Sequence, residues 1–137
     1  MSQAPTPAKR ISPRELLPSL WVFVTLNYLY ADVFSLMDPI LLPQWLAGQF
    51  GDLRITRPFL LAAAAMMEVP IAMTVLARFL PQRSNRVANI GAALFKTVAV
   101  AGSMTVAAPN MHYLFFATIE IATTIGIAVI AWRWRSD

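Results

Sequence analysis

Four long apolar runs dominate the chain, at about 18–37, 58–79, 87–108 and 112–133, each near the roughly 20 residues a helix needs to cross a bilayer. The polar residues inside them are not scattered. Trp21, Thr25, Tyr28, Asp32 and Ser35 follow one another at spacings of four and three, which keeps them on one side of a helix. Asn85, Asn89, Ala92, Lys96, Ala99 and Ser103 do the same in the third run, and Tyr113, Ala117, Glu120 and Thr124 in the fourth. In the second, Ala64, Ala65, Glu68 and Ala72 form a small-residue stripe around a carboxylate; small residues let membrane helices approach closely. The pattern predicts an all-α, integral membrane, antiparallel four-helix bundle with a polar seam.

The connecting segments refine this. Residues 1–11, rich in Pro, Ala and Thr, read as a disordered tail, and 12–137 as one four-span domain. Ser12-Pro13-Arg14-Glu15 has the form of a capping box with proline at the first helical position, so a short helix is expected to start there and meet the first span near Pro18. The long connection from Asp38 to Arg57 carries Ile40, Leu41, Leu42, Trp45, Leu46, Phe50 and Leu53 at near-helical spacing. It predicts a short amphipathic helix in the interface, ended by Gly48, Gly51 and Asp52. A membrane-hugging connector is the favoured reading; a lid over a site below is the sharper one. The links Pro81–Arg86 and Pro109–Met111 are short, so the spans they join are expected to be antiparallel neighbours.

Composition places the chain among membrane proteins: 58% of its 137 residues are hydrophobic and 13% charged, where soluble domains run near half and a quarter. The absence of cysteine rules out disulfides, thiol catalysis and thiolate metal sites, and a single histidine, His112, cannot build a histidine-rich one. No metal or cofactor is expected. The net charge is +4, but the placement of the cations says more. Lys9, Arg10, Arg14, Arg78, Arg83, Arg86, Arg133 and Arg135 fall on one side of the four spans, and Arg54 and Arg57 on the other. The positive-inside rule puts both termini in the cytoplasm. The first run lacks a small-x-small cleavage site and reads as an uncleaved span. Trp21, Phe79, Trp132 and Trp134 are expected at the inner boundary, and Trp45, His112 and Tyr113 at the outer one. No basic face for nucleic acid is present.

Every span carries an ionisable residue: Asp32, Glu68, Lys96 and Glu120. The last three come about 15 Å deep, near the midplane, while Asp32 lies nearer the outer face. Each would cost about 2.5–3.5 kcal/mol if left facing lipid, so the four are expected to face one another. Tyr28, Asn89, Ser103, Tyr113 and Thr124 are the supporting polar residues. Pro70 cannot donate to the carbonyl of Met66; in "MMEVPIAM" this predicts a kink and a free carbonyl beside Glu68, hence a polar pocket. Three carboxyls share one ammonium, so Lys96 is expected to pair with Glu68 or Glu120 and leave the other protonated. The cluster is then a site for an exchangeable proton, or for a cationic or hydrogen-bonding ligand that replaces it. The alternative is a static Glu-Lys-Glu staple.

The stretches "NYLYADVFSLMDP", "MMEVPIAM", "LPQRSNRVANI", "YLFFATIEIATT" and "AWRW" together resemble a family of small bacterial four-helix membrane proteins catalogued as a domain of unknown function. Size and layout are loosely similar to DoxX-like membrane proteins. The resemblance implies a bacterial inner-membrane location and a four-span fold, and transfers no activity. The residues themselves suggest a proton-linked transporter of a small solute or ion. The alternatives are an accessory subunit whose buried charges fix helix packing, and a protein that binds a lipid or hydrophobic ligand. Expected partners are the bilayer and either further copies of the chain or a membrane complex. No nucleophile motif, phosphate loop or cofactor fingerprint points to an enzyme.

Overall fold

The computed structural model describes residues 11–134. The tail expected over 1–11 lies, but for Ile11, outside the described residues, as do Lys9, Arg10 and Arg135. Helix α1 (Pro13–Met37) begins where the capping box places it, with the Ser12 amide donating to the Glu15 carboxylate at 3.3 Å. It runs through Pro18 without a break. In the second turn a proline forfeits a single bond, to the Arg14 carbonyl, and the buried Pro18 ring packs in the core. The short leading helix and the first span are therefore one element.

After α1, Asp38 turns the chain by accepting the Ile40 and Leu41 amides at 2.8 and 3.2 Å. Helix α2 (Leu41–Leu46) follows, and Gly48 ends it at φ 72°. The rest of the connection is a two-stranded antiparallel hairpin that hydrophobic spacing does not foretell, β1 (Gln49–Phe50) with β2 (Leu53–Arg54), in which Phe50 faces Leu53. Gly51 stands at φ 56°, the positive value that a two-residue turn needs at its first central position. Helices α3 (Arg57–Phe79), α4 (Gln82–Val106) and α5 (Met111–Arg133) complete the chain. With α1, they are four helices long and apolar enough to cross a membrane.

The helices form a square in the order α3, α1, α5, α4. The contacts of α1 with α3, of α1 with α5 and of α4 with α5 are extensive, whereas α3 and α4 touch least. The short link at Pro81 leaves α3 and α4 neighbours, as expected, but in contact over little of their length. That link fixes them at one end, and they diverge towards the other, leaving room between them.

The half of the bundle nearest the chain termini is packed solid. Leu17, Trp21, Val24, Ala77, Ala93, Ile127 and Ala131 are fully buried there. A polar relay crosses this core along its diagonal. The Trp21 indole donates to Asn89 Oδ1 at 2.7 Å. Asn89 Nδ2 donates to Asn85 Oδ1 at 2.6 Å, and Asn85 Nδ2 to the Ala77 carbonyl at 2.7 Å. The last bond caps an orphan carbonyl at the end of α3. Two arginines close the same end: Arg14 donates to the Leu80 carbonyl, and Arg86 to those of Ala131 and Trp132. Trp21 is thus a core residue and not a member of an aromatic belt; Phe79 and Trp132 are exposed as a belt requires.

Candidate functional site

The opposite half of the bundle is hollow. A cavity of about 570 Å³ lies where α3 and α4 diverge. Leu41, Trp45, Phe50 and Ile55, from the connection between α1 and α3, line it at the loop end. Three of these four, Leu41, Trp45 and Phe50, belong to the near-helical pattern of the connector, which here forms a roof. Phe59, Met66 and Met67 of α3 provide an apolar wall, and Tyr28, Asp32, Lys96, Ser103, Tyr113 and Glu120 provide the polar one.

Helical spacing sets these positions. The stripes on α1, α4 and α5 point inward as expected: Tyr28 and Ser35, Asn89 and Lys96, Glu120 and Thr124 are all buried. Lys96, Glu120 and Tyr28 are 2%, 3% and 5% exposed. Asp32 is exposed at the rim, on the same helix as Tyr28 but one step off the buried face. Lys96 lies in the field of Glu120 and then of Asp32, so these three act on one another electrostatically.

They are not paired, however. Among the described residues no Lys or Arg nitrogen comes within 4.0 Å of a carboxylate oxygen. The Lys96 ammonium instead sits 4.1 Å over the Tyr28 ring and 3.5 Å from the Met67 sulfur. Glu120 Oε1 and the Tyr28 hydroxyl are buried without a hydrogen-bond partner among the described residues. Buried polar atoms are nearly always satisfied, and each orphan costs about 1–3 kcal/mol. Thr25 Oγ1, one turn along α1 and outside the cavity lining, is likewise buried without a partner; other polar residues nearby are tied down. Ser103 and Tyr113 hydrogen-bond each other, Thr97 and Thr124 join α4 to α5 at 2.7 Å, and Thr124 also donates to the Glu120 carbonyl at 3.0 Å. At the loop end Ser35 meets His112 at 3.2 Å, and Asn110 donates to Asp38 at 2.7 Å. His112 therefore binds a helix terminus, and Trp45 and Tyr113 turn inward instead of lying in a belt.

Glu68 does not join the group. It is exposed, on the face of α3 opposite the buried Pro70, Met73 and Ala77. Successive helical residues turn by about 100°, so Glu68 and Pro70 point in nearly opposite directions and cannot share a pocket. The helix also runs unbroken through Pro70. The stripe Ala64, Ala65, Glu68 looks outward for the same reason. Residues that spacing did not single out, Met66 and Met67, take the inward place. The proline carried that signal: centring the helix on Pro70 brings Met66, Met67, Met73 and Ala77 to its side. No group of His, Cys, Asp and Glu able to hold a metal ion occurs among the described residues.

The chain belongs to a family of unknown function, DUF6326, whose model matches residues 9–137. No curated protein and no solved structure matches it.

Proposed function

We propose that this member of the family handles a small amphipathic solute in exchange for a proton. The solute's apolar part lies against Phe59, Met66 and Met67, and its cationic or hydrogen-bonding part meets the Asp32, Glu120 and Tyr28 oxygens. The observation that carries this reading is the state of the cavity's polar wall: Lys96, Glu120 and Tyr28 are buried together, yet among the described residues neither the ammonium nor the orphan oxygens have an oxygen or nitrogen partner. Buried ionisable groups in membrane helices that face a cavity are most often part of a path for ions, protons or substrates. Two carboxyls against one ammonium leave an excess negative charge, which a proton or a cation neutralises. Aromatic rings at Tyr28, Phe59 and Trp45 suit a hydrophobic cation.

In the orientation set by the basic residues, both termini are cytoplasmic in a bacterial inner membrane, and the cavity opens towards the outer face. Passage to the cytoplasm further requires the Trp21–Asn89–Asn85 relay to part, so binding with proton exchange is the first half of a proton-linked transport cycle.

The test is proton release on binding. Protein in nanodiscs, in weakly buffered solution with a pH-indicator dye, is titrated with benzyltrimethylammonium, and Trp45 emission reports occupancy against a Trp45→Phe background. The expected result is a proton released as the cation binds, lost in Glu120→Gln and reduced in Asp32→Asn. Equal proton release in wild type and both variants, or no change in Trp45 emission, sinks the reading.

A further inference from the structure

The exposed carboxyl of Glu68 is unexplained by the cavity. It sits at the middle of α3, the twelfth of its 23 residues, and points away from the bundle. Arg57 and Arg78, the cations of the same helix, lie about 16 and 15 Å away along its axis, too far to reach it. Around it Ala64 and Ala65 are exposed and Ala72 half-buried, and α3 buries the smallest share of its length of the four long helices.

We propose that this face is covered by a second copy of the chain, packed α3 against α3 about a two-fold axis along the membrane normal. Such an axis brings equal residues together at equal depth, so Glu68 meets Glu68. A carboxyl that holds a proton is both donor and acceptor; two of them satisfy each other and need no further polar residue on the face. The alanines on either side let the two backbones approach closely. At the same depth the outward faces of α4 and α5 offer Glu68 no carboxyl or cation as partner. The mid-depth lysine, Lys96, is buried inside the bundle, and the outward faces of α4 and α5 carry, at that depth, residues such as Leu94, Phe95, Val98 and Ile125. The dimer is independent of the solute cavity, which opens between α3 and α4 within each copy.

The chain has no cysteine, so single cysteines report the interface directly. One face variant, Ala65→Cys, and two control variants, Val98→Cys on α4 and Ile125→Cys on α5, are oxidised in native membranes. A disulfide-linked dimer is expected for Ala65→Cys and monomer for the controls. In the Ala65→Cys background, Glu68→Leu is expected to lower the linked fraction about fivefold or more, the scale of one interhelical hydrogen bond in a membrane, while Glu68→Gln keeps it. Because Glu68→Leu removes a polar group from an exposed face, misfolding does not confound it. Equal linking at all three positions, a linked product of another mass, or a linked fraction unmoved by Glu68→Leu overturns the proposal.

Discussion

Replacing Lys96 by methionine separates a functional site from a structural staple. Were Lys96 one arm of a buried ion pair, removing it would cost about 3–5 kcal/mol, because a buried charge would be left without its partner. No carboxylate oxygen lies within 4.0 Å of its ammonium. What Lys96→Met gives up is the contact over the Tyr28 ring at 4.1 Å, about 1–2 kcal/mol for a desolvated cation. What it sheds is the burial of an ammonium, about 2.5–3.5 kcal/mol at a helix centre. A methionine also fits beside Met67, whose sulfur is 3.5 Å from the present nitrogen. Asp32 and Glu120, left without a counter-charge, can take up protons rather than remain charged. The balance is a bundle as stable as wild type, or more stable by about 1–2 kcal/mol, that still releases a proton from Asp32 or Glu120 when the cation binds. Equilibrium unfolding in mixed detergent micelles measures the first, and the dye titration the second. A double-mutant cycle with Glu120→Gln is expected to show coupling below about 1 kcal/mol. A loss of about 3 kcal/mol or more on Lys96→Met, repeated in Glu120→Gln and not increased in the double variant, is the behaviour of a staple and refutes the site.

Two further outcomes follow from the packing. Asn89→Leu orphans the Trp21 indole N–H and Asn85 Oδ1, and is expected to cost about 2 kcal/mol in the same unfolding assay; a cost below about 0.5 kcal/mol would mean the relay is not formed. Gly51→Ala meets both a positive φ of 56° and a β-carbon 2.5 Å from the Val106 carbonyl oxygen. It is expected to loosen the hairpin while leaving the helical content unchanged, seen as faster hydrogen exchange from Gln49 to Ile55 alone.

The legibility of this fold in its sequence differs from helix to helix for a physical reason. On α1, α4 and α5 the polar residues occur mainly on the buried face, so a spacing of four and three points straight at the core, and Tyr28, Lys96, Glu120 and Thr124 are found where it places them. Helix α3 has two stripes of equal periodicity, one built on Glu68 and alanines, the other on Met66, Met67, Pro70 and Met73. Charge makes the first look like the seam, yet shape decides: the proline and methionines fill the core. The hairpin leaves no periodic signal because its strands are two residues long, although its Gly51-Asp52 turn is visible in the sequence. Trp21 reads both as the first residue of the α1 seam and as a belt residue, and its bond to Asn89, 68 positions away, decides for the seam.

The central claim is a water-accessible cavity that enters the bundle from the loop end and stops at the level of Lys96. Ala99 lines that cavity, whereas Ala93 is fully buried in the packed half, and in a cysteine-free chain each can be replaced singly by cysteine. The measurement is the rate at which a small, charged, membrane-impermeant thiol reagent labels each variant when added to one side of the membrane at a time. The account expects Ala99→Cys to react from the side opposite the chain termini only, more slowly when benzyltrimethylammonium is present, and Ala93→Cys to react from neither side. Labelling of Ala99→Cys from the side of the termini, or equal silence at both positions, would contradict it.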